Sequence, residues 1–465
     1  MTAEEEPLSA VMVVETTGGV LSQGDPQTPF SGVSTDSRSI RSGELFFALR
    51  GEHFDGHRFF VEAIQRGGGG GVVEREIGEF EDKSVPIIKV KDTLRSLGDL
   101  AHGWRKRHPA PLVAVVGSNG KTTTKEMVAV ILEKKYKVMK NPGNFNNLIG
   151  LPLSLLKLDS NDHAAVLELG MNRKGEILRL AQIAEPDLGI LTNIGFAHVE
   201  GVGSIEGVME AKGELLEGIS AGGKLIFNAD DPRVVELSKR FEGDKISFGV
   251  QNFADWTATN ILMRPDGGTS FQIKGRTGTI PISLQLIGRH QIYNALAAAA
   301  ATSSLGAGME HIKEGLEGIK LSAMRMEVIT LKERIKVIND AYNANPQSMA
   351  SALHTLAEVQ GERKIAVLGD MRELGEYTQQ AHMKLGRLVK EKEIDLLFLL
   401  GQFAPYVAHG AREAGMEPRS IFLGKDQHDV GLRLARTVKK GDWVLVKGSR
   451  NMNMEEIIKE LRGAL

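Results

Sequence analysis

The chain has 465 residues, of which 42% are hydrophobic and 25% charged, with a formal net charge of −2. That length implies several domains, and the near-neutral charge offers no general attraction for nucleic acid or an anionic membrane. The absence of cysteine excludes disulfides, thiolate zinc sites and cysteine nucleophiles.

The start, MTAEEEPLS, is acidic where a signal peptide is basic, and no run of about 20 apolar residues occurs. A cytoplasmic location and no membrane span are expected. Residues 1–108 form a first block of short strand-like and helical pieces. Within it, GGGGG (Gly67 to Gly71) separates a helix-like FFVEAIQR from a strand-like VVE and reads as a turn with tight backbone packing. The block ends in WRKRHPAP, read as a solvated helix end and linker before two prolines.

A second block, 109–321, opens with the strand LVAVV, a glycine loop and a helix with apolar residues at helical spacing. AAVLELG, LGILTNIG and KLIFNAD follow as strands separated by helical patterns such as KGEILRLAQIA, and HQIYNALAAAAATSS closes the block as an alanine-rich helix. Strand–helix alternation predicts a parallel sheet. The third block, 322–465, alternates IKVIND, KIAVLGD, DLLFLL, SIFLG and WVLVKGS with helices, and four of these strands lead into glycine. That is the pattern of a doubly wound sheet with ligands at the carboxyl ends of its strands. The expected fold is α/β in three domains: a small α/β domain, a central phosphate-loop domain with a parallel or mixed sheet, and a Rossmann-like domain. The join near Leu321 to Met324 is the natural hinge.

The stretch VAVVGSNGKTTTKE departs from the common phosphate loop. Val115 stands where a glycine is usual, and the nearest glycine is Gly117. It still supplies a strand, two close-approach glycines (Gly117 and Gly120), a lysine, a hydroxyl and a helix start. Lys121 would reach the β- and γ-phosphates, and Thr122 would offer its hydroxyl to Mg²⁺. Glu168, at a strand end, suits the same hard cation but reads equally as a surface carboxylate. His198, after the next strand, reads as a metal neighbour or as a structural histidine.

The loop GSNGKTT resembles the ATP loop of the Mur ligases and folylpolyglutamate synthases. TDSR with GELFFALRGEHFDGHRF resembles the UDP-sugar-binding domain of Mur ligases. NPGNFNNLIGLPLSLL, LELGMNRKGEI, TNIGFAHVEGVGSIEGVMEAKGEL, FNADDP, GRHQIYNALAAAA, NDAYNANPQSM, LGDMRELG and LVKGSR extend the resemblance, in order, over nearly the whole chain. Within the Mur ligases they resemble the member that adds a dipeptide.

The resemblance implies UDP-binding, ATP-binding and dipeptide-binding domains, a monomer, and two Mg²⁺ ions with ATP as co-substrate. The implied partners are UDP-N-acetylmuramoyl-tripeptide and D-Ala-D-Ala, joined in peptidoglycan synthesis through an acyl phosphate. It implies ATP contacts from Gly117, Ser118, Asn119, Gly120, Lys121, Thr122, Thr123, Asn294, Arg325 and Asp340. It implies metal positions at Thr122, Glu168, His198 and Lys212, the last as a carbamate, and catalytic roles for Lys121, Lys212, His198 and Arg325.

Ser34, Thr35, Asp36 and Arg38 match the UDP side, and Asn144, Asn146 and Asn147 the muramoyl side. Tyr342, Asn343, Asn345, Ser348, Lys447, Ser449 and Arg450 fall in the ribose or dipeptide region. Read without the resemblance, Lys212 is an exposed helical lysine, TDSR a capped turn, and the asparagine stretches plain turns. Arg325 and Asp340 read as a surface charge and a strand-end cap. Gln291 and Tyr293 depart from the family's HNISNALAA. A folylpolyglutamate synthase, a sister ligase adding one amino acid, and a nucleotide-dependent switch are the competing readings. The guanine-reading Asn-Lys-x-Asp motif of a switch is absent.

Overall fold

Along Leu112–Val116 the side chains alternate between two apolar layers. Val113 and Val115 enter one, and Leu112, Ala114 and Val116 enter the other. A strand buried on both faces lies at the centre of a sheet covered by helices. A computed structural model, described for residues 7–465 except 52, 53, 79, 81, 266, 321 and 322, shows that sheet with nine strands. Leu112–Val116 pairs in parallel with Ala164–Glu168 on one side and Leu188–Leu191 on the other. The chain reverses its direction of travel across the sheet at this strand, which opens a crevice at its carboxyl end. The helix Lys121–Leu132 rises from that crevice. Its Met127, Val128 and Ile131 pack in one layer with Ala295, Ala298 and Ala299 of His290–Ser304, whose small side chains admit close helix contact.

Beyond Asp244–Gly249 the sheet continues through Trp256–Met263, in parallel, and then Thr269–Gly275 and Gly278–Leu284, both antiparallel. The sheet is therefore mixed. These three strands have one exposed face and do not stand out as apolar runs in the sequence.

The third domain has six strands in the order Glu327–Thr330, Lys336–Asp340, Trp443–Lys447, Lys364–Leu368, Leu396–Leu399 and Ile421–Leu423. All pair in parallel except the first. Trp443–Lys447, last in sequence, lies between the first two parallel strands, so the loops after Asp340 and Lys447 come together. The first domain is a five-stranded sheet, with Val20–Gln23 antiparallel and the others parallel. In its glycine run, a side chain on Gly71 would strike the Phe60 ring, in keeping with the tight packing expected.

The basic stretch at the first boundary is not simply solvated. It ends the helix Thr93–Arg107, and Arg105 is buried, donating to the carbonyls of Ala184 and His108 and to Asp187 at 3.1 Å. Trp104 and Ala101 of the same helix join the apolar layer of the central domain. The helix docks on the second domain because its inner face is apolar and its one buried cation finds three acceptors. The acidic start MTAEEE and the second boundary, Leu321 and Ser322, lie outside the described residues.

Candidate active site

The carboxyl ends of the central and third sheets face each other across a cleft of about 930 Å³, within the range of ligand sites. Ser118, Asn119, Gly120, Lys121, Thr122 and Thr123 line it from the central side. The glycine loop is braced from the neighbouring strand end. Ser118 donates to the Gly195 carbonyl at 2.9 Å and accepts the Gly195 N–H at 2.8 Å, and Asn193 accepts the Asn119 N–H at 2.9 Å. Gly120 has φ of 82°, which favours glycine, and a side chain there would strike Asn294. Asn294 is buried beneath it, bonded to Thr124 and Gln291. Its side chain supports the loop, and Gln291, a departure from the family pattern, holds it.

Lys121 donates to the Gly117 carbonyl at 2.9 Å. Burial pushes its amine below the usual range; Glu168 opposes the fall and Arg325 adds to it. The Thr122 hydroxyl donates to Glu168 Oε2 at 2.6 Å, and the Asn146 amide donates to Oε1 at 2.8 Å. Lys212 is buried rather than exposed. Burial pushes its amine well below the usual range, Lys121 adds to that, and Glu168 opposes it. Lys121, Glu168 and Lys212 thus form one electrostatic cluster. A hydroxyl, a carboxylate and an amide oxygen are hard donors that fit Mg²⁺. Among the described residues no group of three or more His, Asp or Glu forms a metal cage. The donor set therefore suits a cation that keeps water and phosphate ligands.

The third domain closes the cleft from the other side. Asn345 donates to Asn119 Oδ1 at 2.8 Å, and Asn119 donates to Gln347 at 3.0 Å. Asn345 also caps the helix Pro346–Glu358 in a reciprocal pair with Ser348. Arg325 lies 3.8 Å over the Tyr342 ring and within electrostatic reach of Lys121. His198 lines the cleft, with Nδ1 2.7 Å from Glu373 Oε2 of the third domain, a close contact without hydrogen-bond alignment. The imidazole holds the Glu373 carboxyl below its usual range. Asn144 and Asn146 line the cleft, whereas Asn147 turns away to accept the N–H groups of Ile149 and Gly150.

The residues at the far strand end are less free than their types suggest. Lys447 is buried and donates to Asp340 Oδ2 at 2.5 Å and to the Asn343 carbonyl at 2.9 Å. Arg450 pairs with Glu455 at 2.8 Å, and Ser449 accepts the Arg372 N–H. Lys447→Ala should destabilise the protein by about 3 kcal/mol, because it strands Asp340 without its partner. Chemical denaturation measures this, and adding Asp340→Asn should recover much of the loss.

Ser34, Thr35, Asp36 and Arg38 do not reach this cleft. They form a turn after the strand Gly32–Ser34, where Arg38 grips both oxygens of Asp36 at 2.9 and 2.8 Å. That grip, chiefly its hydrogen bond, holds the Asp36 carboxyl down to about 2.

Sequence reasoning passed over Asn193, Gln347, Glu373 and His290, all of which line the cleft. Each lies inside a stretch that carries the family resemblance, TNIGFAHVEG, NDAYNANPQSM, LGDMRELG and GRHQIYNALAAAA in turn, but its residue type alone does not single it out there. Burial pushes the His290 imidazole down to about 4, with Asp340 opposing and Lys447 adding to the fall. Its folded value lies below the ordinary 6.5, so between those values the unfolded chain binds a proton that the folded chain does not. Stability should fall as pH drops from 6.5 to 4. The full shift corresponds to about 3 kcal/mol, a ceiling because the side chain keeps partial access to the cleft. Urea unfolding across that range should show a flatter pH dependence for His290→Gln.

Three family models match successive stretches of the chain. They are the Mur ligase family catalytic domain over residues 29–105, the Mur ligase middle domain over 115–302, and the Mur ligase glutamate ligase domain over 324–450. The UDP-N-acetylmuramoyl-tripeptide–D-alanyl-D-alanine ligase of Bacillus subtilis is 37% identical over 94% of this chain and 94% of its own. A crystal structure of MurF from Acinetobacter baumannii superposes with a TM-score of 0.91 at 33% identity, covering 98% of this chain and 99% of that one. The Thermotoga maritima MurF ligase in complex with ADP superposes at 0.84 with 29% identity, covering 93% and 97%. Glycine loop, mixed central sheet and facing third domain occur together with sequence identity over 94% of the chain, and the chain belongs to the Mur ligase family.

Proposed function

We propose that the chain is an ATP-dependent ligase that joins D-Ala-D-Ala to UDP-N-acetylmuramoyl-tripeptide in peptidoglycan synthesis. The observation that carries this reading is the cleft in which a phosphate loop, a buried carboxylate–lysine cluster and a second domain converge. The names of the full-length relatives support the substrates.

A carboxylate is a poor acylating agent. The tripeptide carboxylate takes the γ-phosphoryl group of ATP, and ADP leaves. The D-Ala-D-Ala amine then attacks the acyl carbon, phosphate departs, and the amine proton is lost. Lys121 and Arg325 meet phosphate charge from opposite domains, which holds the reacting groups in place as charge moves. When bound, Mg²⁺, two ions by the family resemblance, would neutralise phosphate charge; Thr122, Glu168, His198 and the carbamate of Lys212 would hold it.

Asn144 and Asn146 face the acceptor peptide, and Asp340 and Tyr342 the ribose. Ser34, Thr35, Asp36 and Arg38 serve the UDP end in the first domain. Since Lys447 and Arg450 already have carboxylate partners, Arg372 is the better-placed receiver of the dipeptide carboxylate. It lines the cleft, and its nearest carboxylate, Asp370, is 3.9 Å away and engaged with the N–H groups of Gln402 and Phe403. The enzyme acts as a cytoplasmic monomer. Among the described residues no helix is long and apolar enough to cross a membrane.

Phosphate release measured with each acceptor and amine tests the assignment. Turnover should need ATP, Mg²⁺, UDP-N-acetylmuramoyl-tripeptide and D-Ala-D-Ala together. Equal turnover with a single amino acid points to the sister ligase, and with folate and glutamate to a folylpolyglutamate synthase; either overturns the proposal. Turnover without any amine does so as well.

A further inference from the structure

Asn141 has no part in the reaction outlined above, yet it joins three segments of the site. It follows the short strand Val138–Lys140, whose parallel pairing with Ala164–Glu168 ends at Lys140 opposite Val166. Pro142 comes next, has no N–H and cannot continue a ladder. The Asn141 side-chain amide takes over that pairing. Its Oδ1 accepts the Glu168 N–H at 3.0 Å, and its Nδ2 donates to the Glu168 carbonyl at 3.1 Å. A side-chain amide thus replaces the peptide group of the missing strand residue, while the main chain is free to turn into the cleft.

The same Nδ2 donates to the Phe145 carbonyl at 2.8 Å, fixing the loop that carries Asn144 and Asn146. Asn146 returns to Glu168 Oε1, and its own carbonyl accepts the Gly170 N–H at 2.8 Å. From the third direction, Lys125 of the phosphate-loop helix donates to the Asn141 carbonyl at 2.5 Å. Both Asn141 and Lys125 are fully buried. A turn asparagine caps one or two local N–H groups. This one bonds both main-chain polar groups of a residue 27 positions away.

We infer that Asn141 is a positioning residue that aims the Glu168 carboxylate and Asn146 jointly at the metal–nucleotide site. The inference rests on the reading that Glu168 helps to hold Mg²⁺. Groups that orient a metal ligand typically change metal affinity or activity by 10–100-fold when lost.

The test is calorimetric binding of a non-hydrolysable ATP analogue, with Mg²⁺ and with EDTA. Asn141→Ala should reduce the Mg²⁺-dependent gain in affinity by ~10-fold or more and leave the Mg²⁺-free affinity unchanged. Asn141→Asp keeps the shape and the acceptor but loses both donations, and should shift the same quantity in the same direction. It decides the matter if the alanine variant does not fold. In a Glu168→Gln background, Asn141→Ala should add little, because the two act through one carboxylate. An unchanged Mg²⁺ gain in both variants overturns the inference. So does an equal loss with and without Mg²⁺, or a fully additive double variant. If the unsubstituted protein shows no Mg²⁺ gain, the reading of Glu168 fails together with the inference.

Discussion

Lys121→Ala should lower phosphate release by ~100-fold or more, the scale of losing one preorganised electrostatic contact in a water-poor site. The expectation follows from where the ammonium is held. It lies at the start of Lys121–Leu132, donates to the Gly117 carbonyl across the loop, and is desolvated enough to push its amine down. A phosphoryl group in transfer carries charge that such a cation meets without reorganisation. The fall should appear in kcat more than in the thermal midpoint, because removing a desolvated cation costs the fold little. Near-normal turnover in a folded variant would sink the phosphate-loop assignment. Lys121→Arg should not restore activity, since a planar guanidinium does not fit where a compact ammonium bonds one carbonyl.

Lys212→Ala should be close to inactive, with a short carboxylic acid in the buffer restoring part of the rate. Carbon dioxide reacts with a neutral amine, and an ordinary lysine near pH 7 has almost none. Burial and the neighbouring Lys121 push the Lys212 amine well below that range, so the neutral form is available. When the carbamate forms, the neutral amine nitrogen bonds the carbon of CO₂, a C–O π bond opens and the nitrogen loses a proton, and a neutral amine becomes an anionic oxygen donor. The direction is specific: removing CO₂ should slow the unsubstituted enzyme, and bicarbonate should restore it. The loss in Lys212→Ala should be ~100-fold, read as phosphate release from a variant whose circular dichroism shows it folded. Full activity without added acid would remove the carbamate from the mechanism.

The order of strands and helices in the central and third domains was legible because it depends on neighbours a few residues away. LVAVV, the glycines and the helix of Lys121–Leu132 mark a strand–glycine loop–helix unit without any distant contact. KIAVLGD and WVLVKGS show apolar strands that end in glycine, and the doubly wound sheet follows. The half-exposed strands Trp256–Met263 to Gly278–Leu284 gave weaker patterns, since one of their faces meets water and the other the helices.

Which polar groups are free was a different matter. Lys447 and Arg450 have the right chemistry for a carboxylate, but whether a cation is available depends on what the fold lays beside it. Asp340 reaches Lys447 from 107 positions away because Trp443–Lys447 inserts next to Lys336–Asp340. The His198–Glu373 contact likewise requires two domains to face each other. Lys212 reads as an exposed helical lysine until packing buries it beside Lys121 and Glu168. Burial and long-range charge pairing set a group's protonation and its freedom to bind, and both arise only when segments distant in sequence are brought into contact.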